Sequence, residues 1–285
     1  MNDAGQKPSL EIELRLRDLP AEVKRSRELA RQENERLELA ARPRMEAQLH
    51  ACKMALEQLK DWHRRVADTT DLQLTGYSRA SAIWLLTGRS LGLLDALIVL
   101  AEAGVDTETM VMGRALHEAN HMLLAFCSTD EEELVRLWLD DEGRHRYVRP
   151  KASRGAQERF EAKLDEAMHA QGLPSLGRTG SLVDEVYDRM SRVAHSRRST
   201  CVSSVAEPLR EFAYGRHPSP LRRATVVEWA SSMTGEVLNA VGDALRAFYG
   251  QGFFVEKIAP LVGSIDAVRK TAPLDDESLN AAAAS

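Results

Sequence analysis

Residues 82–105 read AIWLLTGRSLGLLDALIVLAEAGV, and this stretch decides the fold class. It is the most apolar part of the chain, but Arg89 and Asp95 interrupt it. It therefore lacks the ~20 consecutive apolar residues that a membrane-spanning helix needs. Near its end is Gly104, and glycine commonly ends helices. We predict a buried core helix over 71–104 and no association with a membrane.

A second helix is predicted immediately after the first. Asp106 or Thr107 is suited to cap a helix over 107–127, and the short connection predicts an antiparallel hairpin. Helical spacing and end signals predict further helices over 131–147, 156–170, 181–196 and 224–249. No stretch alternates as a half-buried strand would. The sequence thus predicts an all-α fold, a single bundle of about six or seven helices.

The N-terminal region is also predicted to be helical, but its pattern is charged where that of 82–105 is apolar. Residues 21–42 are dense in charge, and Pro43 is expected to break or kink the helix there. An apolar stripe then follows at spacings of three and four residues, which predicts a face packed on a neighbour. Its members are Met45, Leu49, Cys52, Leu56 and Leu59.

These patterns predict four regions along the chain. We expect a flexible N-terminus at 1–20, a helical extension at 21–65, the bundle at 66–255 and a partly disordered tail at 256–285.

Composition narrows the class of partner and the compartment. The chain has 285 residues, 44% of them hydrophobic, and a formal net charge of -5, so binding to RNA would require a local basic patch. Cys52, Cys127 and Cys201 are far apart and form no C-x-x-C pair. We interpret them as structural thiols of a cytoplasmic protein.

The sequence HEANH at 117–121 is one candidate site. Histidines four apart on a helix face the same way and can share a zinc ion, while Glu118 activates a bound water. The third ligand is undefined, since Glu131 to Glu133, Asp140, Asp141, Glu142 and His145 are all available. The alternative is structural, with His117 and His121 on a core helix and Arg114 paired with Glu118.

A second candidate site is the stretch VYDRMSRVAHSRRST at 186–200. Tyr187, Ser191 and His195 are spaced four apart and share one helical face, with Arg192 three residues before the histidine. A histidine that titrates near neutrality and an arginine that holds phosphate meet the minimum for metal-free RNA cleavage. The structural alternative is a polar seam at a helix end.

Two resemblances bear on this stretch. Arg189 and His195 resemble the R-x4-6-H signature of HEPN domains, which implies a dimeric, metal-independent ribonuclease whose arginine and histidine act on the scissile phosphate. Residues from about 75 to 250 are also similar to an uncharacterised bacterial helical family. That similarity rests on Arg114 with Glu118 and on the Tyr-x3-Ser-x3-His pattern, and it implies that the Arg-Glu pair meets the Tyr-Ser-His seam.

Together these observations lead to one preferred function and two alternatives. We prefer an intracellular bacterial ribonuclease of toxin or phage-defence type that needs no cofactor and binds RNA. In it His195 is the acid or base, and one of the arginines Arg114, Arg189 and Arg192 holds the phosphate and is oriented by Glu118. Tyr187 and Ser191 bind, and Arg197 and Arg198 form a basic rim. The first alternative is a non-catalytic scaffold that binds a helical partner or forms a homodimer. The second is a zinc hydrolase that uses His117 and His121.

Overall fold

The computed structural model describes residues 21–70, 78–128, 205–206, 211–212, 217 and 219–284. The described part contains six α-helices: α1 (Ala21–Thr69), α2 (Arg79–Glu102), α3 (Asp106–Ser128), α4 (Pro220–Tyr249), α5 (Ala259–Thr271) and α6 (Asp276–Ala284). A π-helical turn, Phe254–Ile258, precedes α5. Two short strands, β1 (Val205–Ala206) and β2 (Glu211–Phe212), pair antiparallel. The fold is all-α, as predicted.

The core is a bundle of α1, α2, α3 and α4. Helix α4 packs on the other three, and α2 packs on both α1 and α3. Asp106 of α3 lies 3.6 Å from Arg222 at the start of α4, and His117 meets Glu236 farther along, so α3 and α4 run parallel. Helix α1 also runs parallel to α4, since Arg223 contacts Glu38 and Tyr249 contacts Trp62.

The predicted apolar helix lies inside this bundle. Helix α2 starts after Ser78, whose side chain accepts a hydrogen bond from the backbone N–H of Ser81. It is long and apolar enough to span a membrane, but half of its apolar window is buried against its neighbours. The α2–α3 hairpin is present, and Gly104 at φ 72° makes the turn that only glycine adopts readily. The pattern therefore reflects a core helix.

The apolar stripe of α1 is also buried as predicted. All five residues from Met45 to Leu59 lie against the core, and Cys52 and Leu59 are fully buried. Pro43 does not end the helix, so of the predicted break or kink the break is wrong. Pro43 is exposed, and so is Leu39, whose carbonyl loses its helical partner to the proline. Because this carbonyl is on the exposed side of the helix, solvent can replace the lost hydrogen bond, and α1 continues through the proline.

Both ends of the described part of the chain pack on the bundle. Helix α1 contacts it from Leu37 onward. Residues 259–284 form α5 and α6 where a loose tail was expected, and Leu274 and Leu279 are buried. Helix α6 packs on α1, where Arg44 donates to the carbonyl of Ser278. The C-terminal helices therefore pack against the middle of α1, at Arg36, Arg44 and Gln48.

The largest fully buried side chains extend along all four helices of the bundle and reach the π turn. They are Phe126, Leu56, Leu59, Leu94, Leu97, Ile98, Leu116, Leu123, Leu238, Leu245 and Ile258. Burial of each such side chain contributes about 1.5–3 kcal/mol relative to exposure. Polar side chains inside this core are therefore notable, and several of them lie between α3 and α4.

Candidate metal centre between α3 and α4

The HEANH sequence lies in the middle of α3 and faces the core. His117 is 3% exposed and His121 is 9% exposed. Their ring centroids are 3.9 Å apart, as expected for residues one helical turn from each other. Burial of two imidazoles in the core requires polar partners, because an unpaired polar group in the interior costs free energy.

Helix α4 supplies a carboxylate to this pair. The Nδ1 atom of His117 lies 3.1 Å from Oε1 and 3.0 Å from Oε2 of Glu236. One ligand atom from each of His117, His121 and Glu236 lies within 4.8 Å of the other two. The two histidines and the glutamate thus form one cluster across two facing helices.

Asn120 completes the polar cluster. It is fully buried, and its Nδ2 atom donates to Oε1 of Glu236 at 2.9 Å. Glu236 therefore receives hydrogen bonds from two residues of α3, which fix the orientation of its carboxylate.

Helices α3 and α4 approach each other closely, which allows Glu236 of α4 to contact His117 and Asn120 of α3. Gly113 lies one turn before His117, and a Cβ atom at this position would come within 1.7 Å of Cη2 of Trp229. Trp229 lies two turns before Glu236 on α4. Any larger residue at 113 would push α3 away from α4, so the glycine sets the separation at which Glu236 meets His117.

His117 and Glu236 are electrostatically coupled. Burial alone would lower the pKa of His117, but its hydrogen bond to Glu236 and the charges of Glu236 and Glu118 outweigh burial and raise that pKa. Burial would raise the pKa of Glu236, but the hydrogen bond and charge of His117 hold it below its ordinary value. In the absence of another cation, a proton on His117 balances the carboxylate.

The same geometry suits a divalent metal ion. Zinc binds imidazole nitrogen and carboxylate oxygen at about 2.0–2.2 Å in tetrahedral geometry, so two ligand atoms lie roughly 3.3–3.6 Å apart. The separation of 3.0 Å between His117 Nδ1 and Glu236 Oε2 is a hydrogen-bond distance, and a zinc ion in place of the proton would require these atoms to move apart by only a few tenths of an ångström. Two histidines and one carboxylate are also a ligand set of catalytic zinc sites, in which a fourth position stays open.

Arg114 and Glu118 lie beside this cluster on the same helix. The Nε atom of Arg114 donates to Oε1 of Glu118 at 3.0 Å, and the Glu118 side chain is 51% exposed. At 100° per residue, Glu118 flanks the two histidines on one side of α3 and Asn120 flanks them on the other. The paired arginine and glutamate of the structural alternative are therefore present, and they border the histidine cluster.

Most of the ribonuclease prediction lies outside the described residues. This applies to Tyr187, Arg189, Ser191, Arg192, His195, Arg197 and Arg198. Whether Arg114 and Glu118 meet that seam stays a prediction. The third zinc ligands considered from the sequence, between Glu131 and His145, also lie outside them.

Sequence reasoning missed Glu236 and Asn120. Glu236 lies among the buried apolar positions of α4, next to Val237 and three residues after Met233. A charged residue inside such a stripe was the available signal, as was the asparagine within HEANH itself. Neither pattern shows that the two residues meet, because that contact depends on the register between α3 and α4.

The described cysteines show no sign of reactivity. Burial raises the pKa of Cys52, and burial together with the charge of Asp243 raises that of Cys127. Both thiols are therefore protonated and poorly nucleophilic at neutral pH. This agrees with their interpretation as structural residues.

Fold and site together define a class: an all-helical bundle with a His, His and Glu cluster on two facing core helices. Residues 80–196 match a protein family described as "Family of unknown function (DUF5677)". This match confirms the predicted similarity to an uncharacterised helical family, whereas nothing in the comparisons supports the HEPN resemblance. The matched segment contains His117 and His121 but ends before Glu236. Comparisons with curated proteins and with solved structures find no match.

Proposed function

We propose that this protein binds one divalent metal ion of the zinc class through His117, His121 and Glu236 and uses it for hydrolysis. The observation that carries the proposal is the convergence of three ligand atoms, each within 4.8 Å of the others, from two core helices. Bundle proteins commonly build metal sites in this way, with inward-facing side chains on neighbouring helices.

The assignment to hydrolysis follows from the ligand count and from Glu118. Three protein ligands would leave a fourth position for water, and a bound metal ion would activate that water by lowering its pKa. Glu118 lies next to His117 in sequence, where a carboxylate takes the proton from the attacking water in H-E-x-x-H enzymes. Glu118 would accept this proton and return it to the leaving group as the bond between the substrate centre and the leaving group breaks.

The alternative is that the cluster has a purely structural role and binds no metal. A pair formed by buried His117 and partly exposed Glu236 would tie α3 to α4 without any metal, and the pair would then contribute only to folding. Burial of His117 with a charged partner costs free energy, and apolar residues of similar volume often stabilise a core as well or better, which argues against this role as the whole explanation.

The test is metal content and hydrolysis measured on the same full-length preparation. Zinc-loaded wild type should hold about one zinc per chain and cleave p-nitrophenyl acetate or bis(p-nitrophenyl) phosphate, and chelator should abolish cleavage. His121→Ala should lose both zinc and activity. His50→Ala, at an exposed histidine of α1, is the matched control and should lose neither. Wild type that retains no zinc after loading would overturn the proposal.

The same assay separates the ribonuclease prediction from the metal proposal. That prediction requires cleavage of a mixed RNA pool in excess chelator, with loss of cleavage in His195→Ala. Metal-dependent hydrolysis requires the opposite response to chelator. The ribonuclease hypothesis rests on sequence resemblance alone, so we rank it second.

A further inference from the structure

Asn120 carries a buried polar atom that the cluster leaves unused. Its side chain is fully buried, and its Nδ2 atom donates to Glu236. Its Oδ1 atom has no hydrogen-bond partner among the described residues. An unsatisfied buried acceptor is destabilising, so an acceptor in this position points to a donor that belongs there.

The identity of the unused atom follows from chemistry. The two ends of an asparagine amide look alike, and their assignment depends on their partners. A carboxylate only accepts hydrogen bonds, so the atom that faces Glu236 Oε1 at 2.9 Å must be the NH₂ group. The oxygen is therefore the end of the amide that Glu236 does not engage, and its missing partner must be a donor.

We propose that Oδ1 of Asn120 accepts a hydrogen bond from a water molecule bound to the metal at the open position. This inference rests on the proposed metal site. A metal ion cannot donate a hydrogen bond, but a water bound to it donates strongly. Asn120 thereby acts with both ends: Nδ2 holds the ligand Glu236, and Oδ1 orients the water on the side of α3 opposite Glu118.

Azide binding to the cobalt-loaded protein tests this role. Azide displaces the metal-bound water and has no proton to donate, so in wild type it leaves Oδ1 without a partner. In Asn120→Leu no acceptor remains to be left unsatisfied. Azide should therefore bind about tenfold more tightly to Asn120→Leu than to wild type, as followed by the cobalt absorption bands.

Each outcome separates this inference from the proposed function. If wild type fails to bind cobalt, the metal site itself is refuted. If wild type and Asn120→Leu bind cobalt and have the same azide affinity, the metal site stands and the role of Asn120 is refuted.

Asn120→Leu also removes the hydrogen bond from Nδ2 to Glu236, and this variant could therefore fail to fold or to bind metal. A second measurement, made on wild type, does not depend on the variant. A crystal structure of the cobalt-loaded wild type should show a metal-bound water within about 2.6–3.2 Å of Oδ1. A protein donor at that place, or direct coordination of Oδ1 to the metal, would refute the inference.

Discussion

Two glutamates of α4, Glu228 and Glu236, are almost equally exposed, at 32% and 31% of the side chain, but they face different partners. Glu228 accepts hydrogen bonds from Gln48 of α1 and from Nε of Arg269 of α5 at 2.7 Å. Glu236 faces two histidines and an asparagine of α3. The same residue type thus sits in two polar clusters on one helix.

The difference lies in the chemistry of the partners. Arg269 keeps its charge at any physiological pH and is not a metal ligand, so the Glu228 cluster has one state and joins α1, α4 and α5. Histidine exchanges a proton and binds transition metals, so the Glu236 cluster has alternative states. A cluster with alternative states in a core is a candidate site of function, whereas the Glu228 cluster serves packing.

The largest expected effect is on metal affinity. Glu236→Gln removes the anionic ligand and should weaken zinc binding by about 100-fold or more, as measured by calorimetry. Glu228→Gln is the matched control, since it makes the same chemical change at equal exposure on the same helix. It should keep the affinity of wild type. Equal losses in both variants would show that the two clusters do not differ in function.

The next effect concerns the spacing of α3 and α4. Gly113→Ala places a methyl group against Trp229 and should lower the free energy of unfolding by about 1–3 kcal/mol in chelator, measured by urea denaturation. Gly92→Ala is the control in α2, where no atom lies within 4 Å of the added Cβ. It should stabilise by roughly 0.5–1 kcal/mol, because alanine favours helix. Changes of the same sign would refute the role of Gly113.

The smallest expected effect concerns His63, a half-buried histidine that contrasts with buried His117. Burial lowers the pKa of His63, and its hydrogen bond to the carbonyl of Trp84 at 2.9 Å does not reverse that shift, whereas Glu236 raises the pKa of His117. His63 is therefore neutral when folded and gains its proton more readily when unfolded. Its contribution to stability is present above pH about 6.5 and is lost as the pH falls through the folded pKa.

Urea denaturation in chelator at pH 7.5 and pH 5 checks this sign. The difference in unfolding free energy between wild type and His63→Gln should become smaller at the lower pH. A difference that stays constant or grows would contradict the depressed pKa of His63.

Local sequence patterns predicted the helices of the bundle but neither α5 nor α6, and only part of the site. The 3.6-residue spacing predicted α2, α3, α4 and the buried stripe of α1, because each of these signals lies within one helix. HEANH predicted that His117 and His121 share a face for the same reason. Glu236 lies 115 residues after His121, and only the parallel packing of α3 and α4 brings them together. Contacts between distant helices depend on register, which local spacing does not encode.

The most direct test of the central claim is a crystal of zinc-soaked full-length protein, with anomalous scattering recorded at the zinc edge. We predict one strong peak about 2.0–2.2 Å from a nitrogen of His117, a nitrogen of His121 and an oxygen of Glu236. No peak in this cluster, or a peak that Glu236 does not ligate, would contradict the assignment. His117 and Glu236 would then be a structural pair, like Glu228 and Arg269.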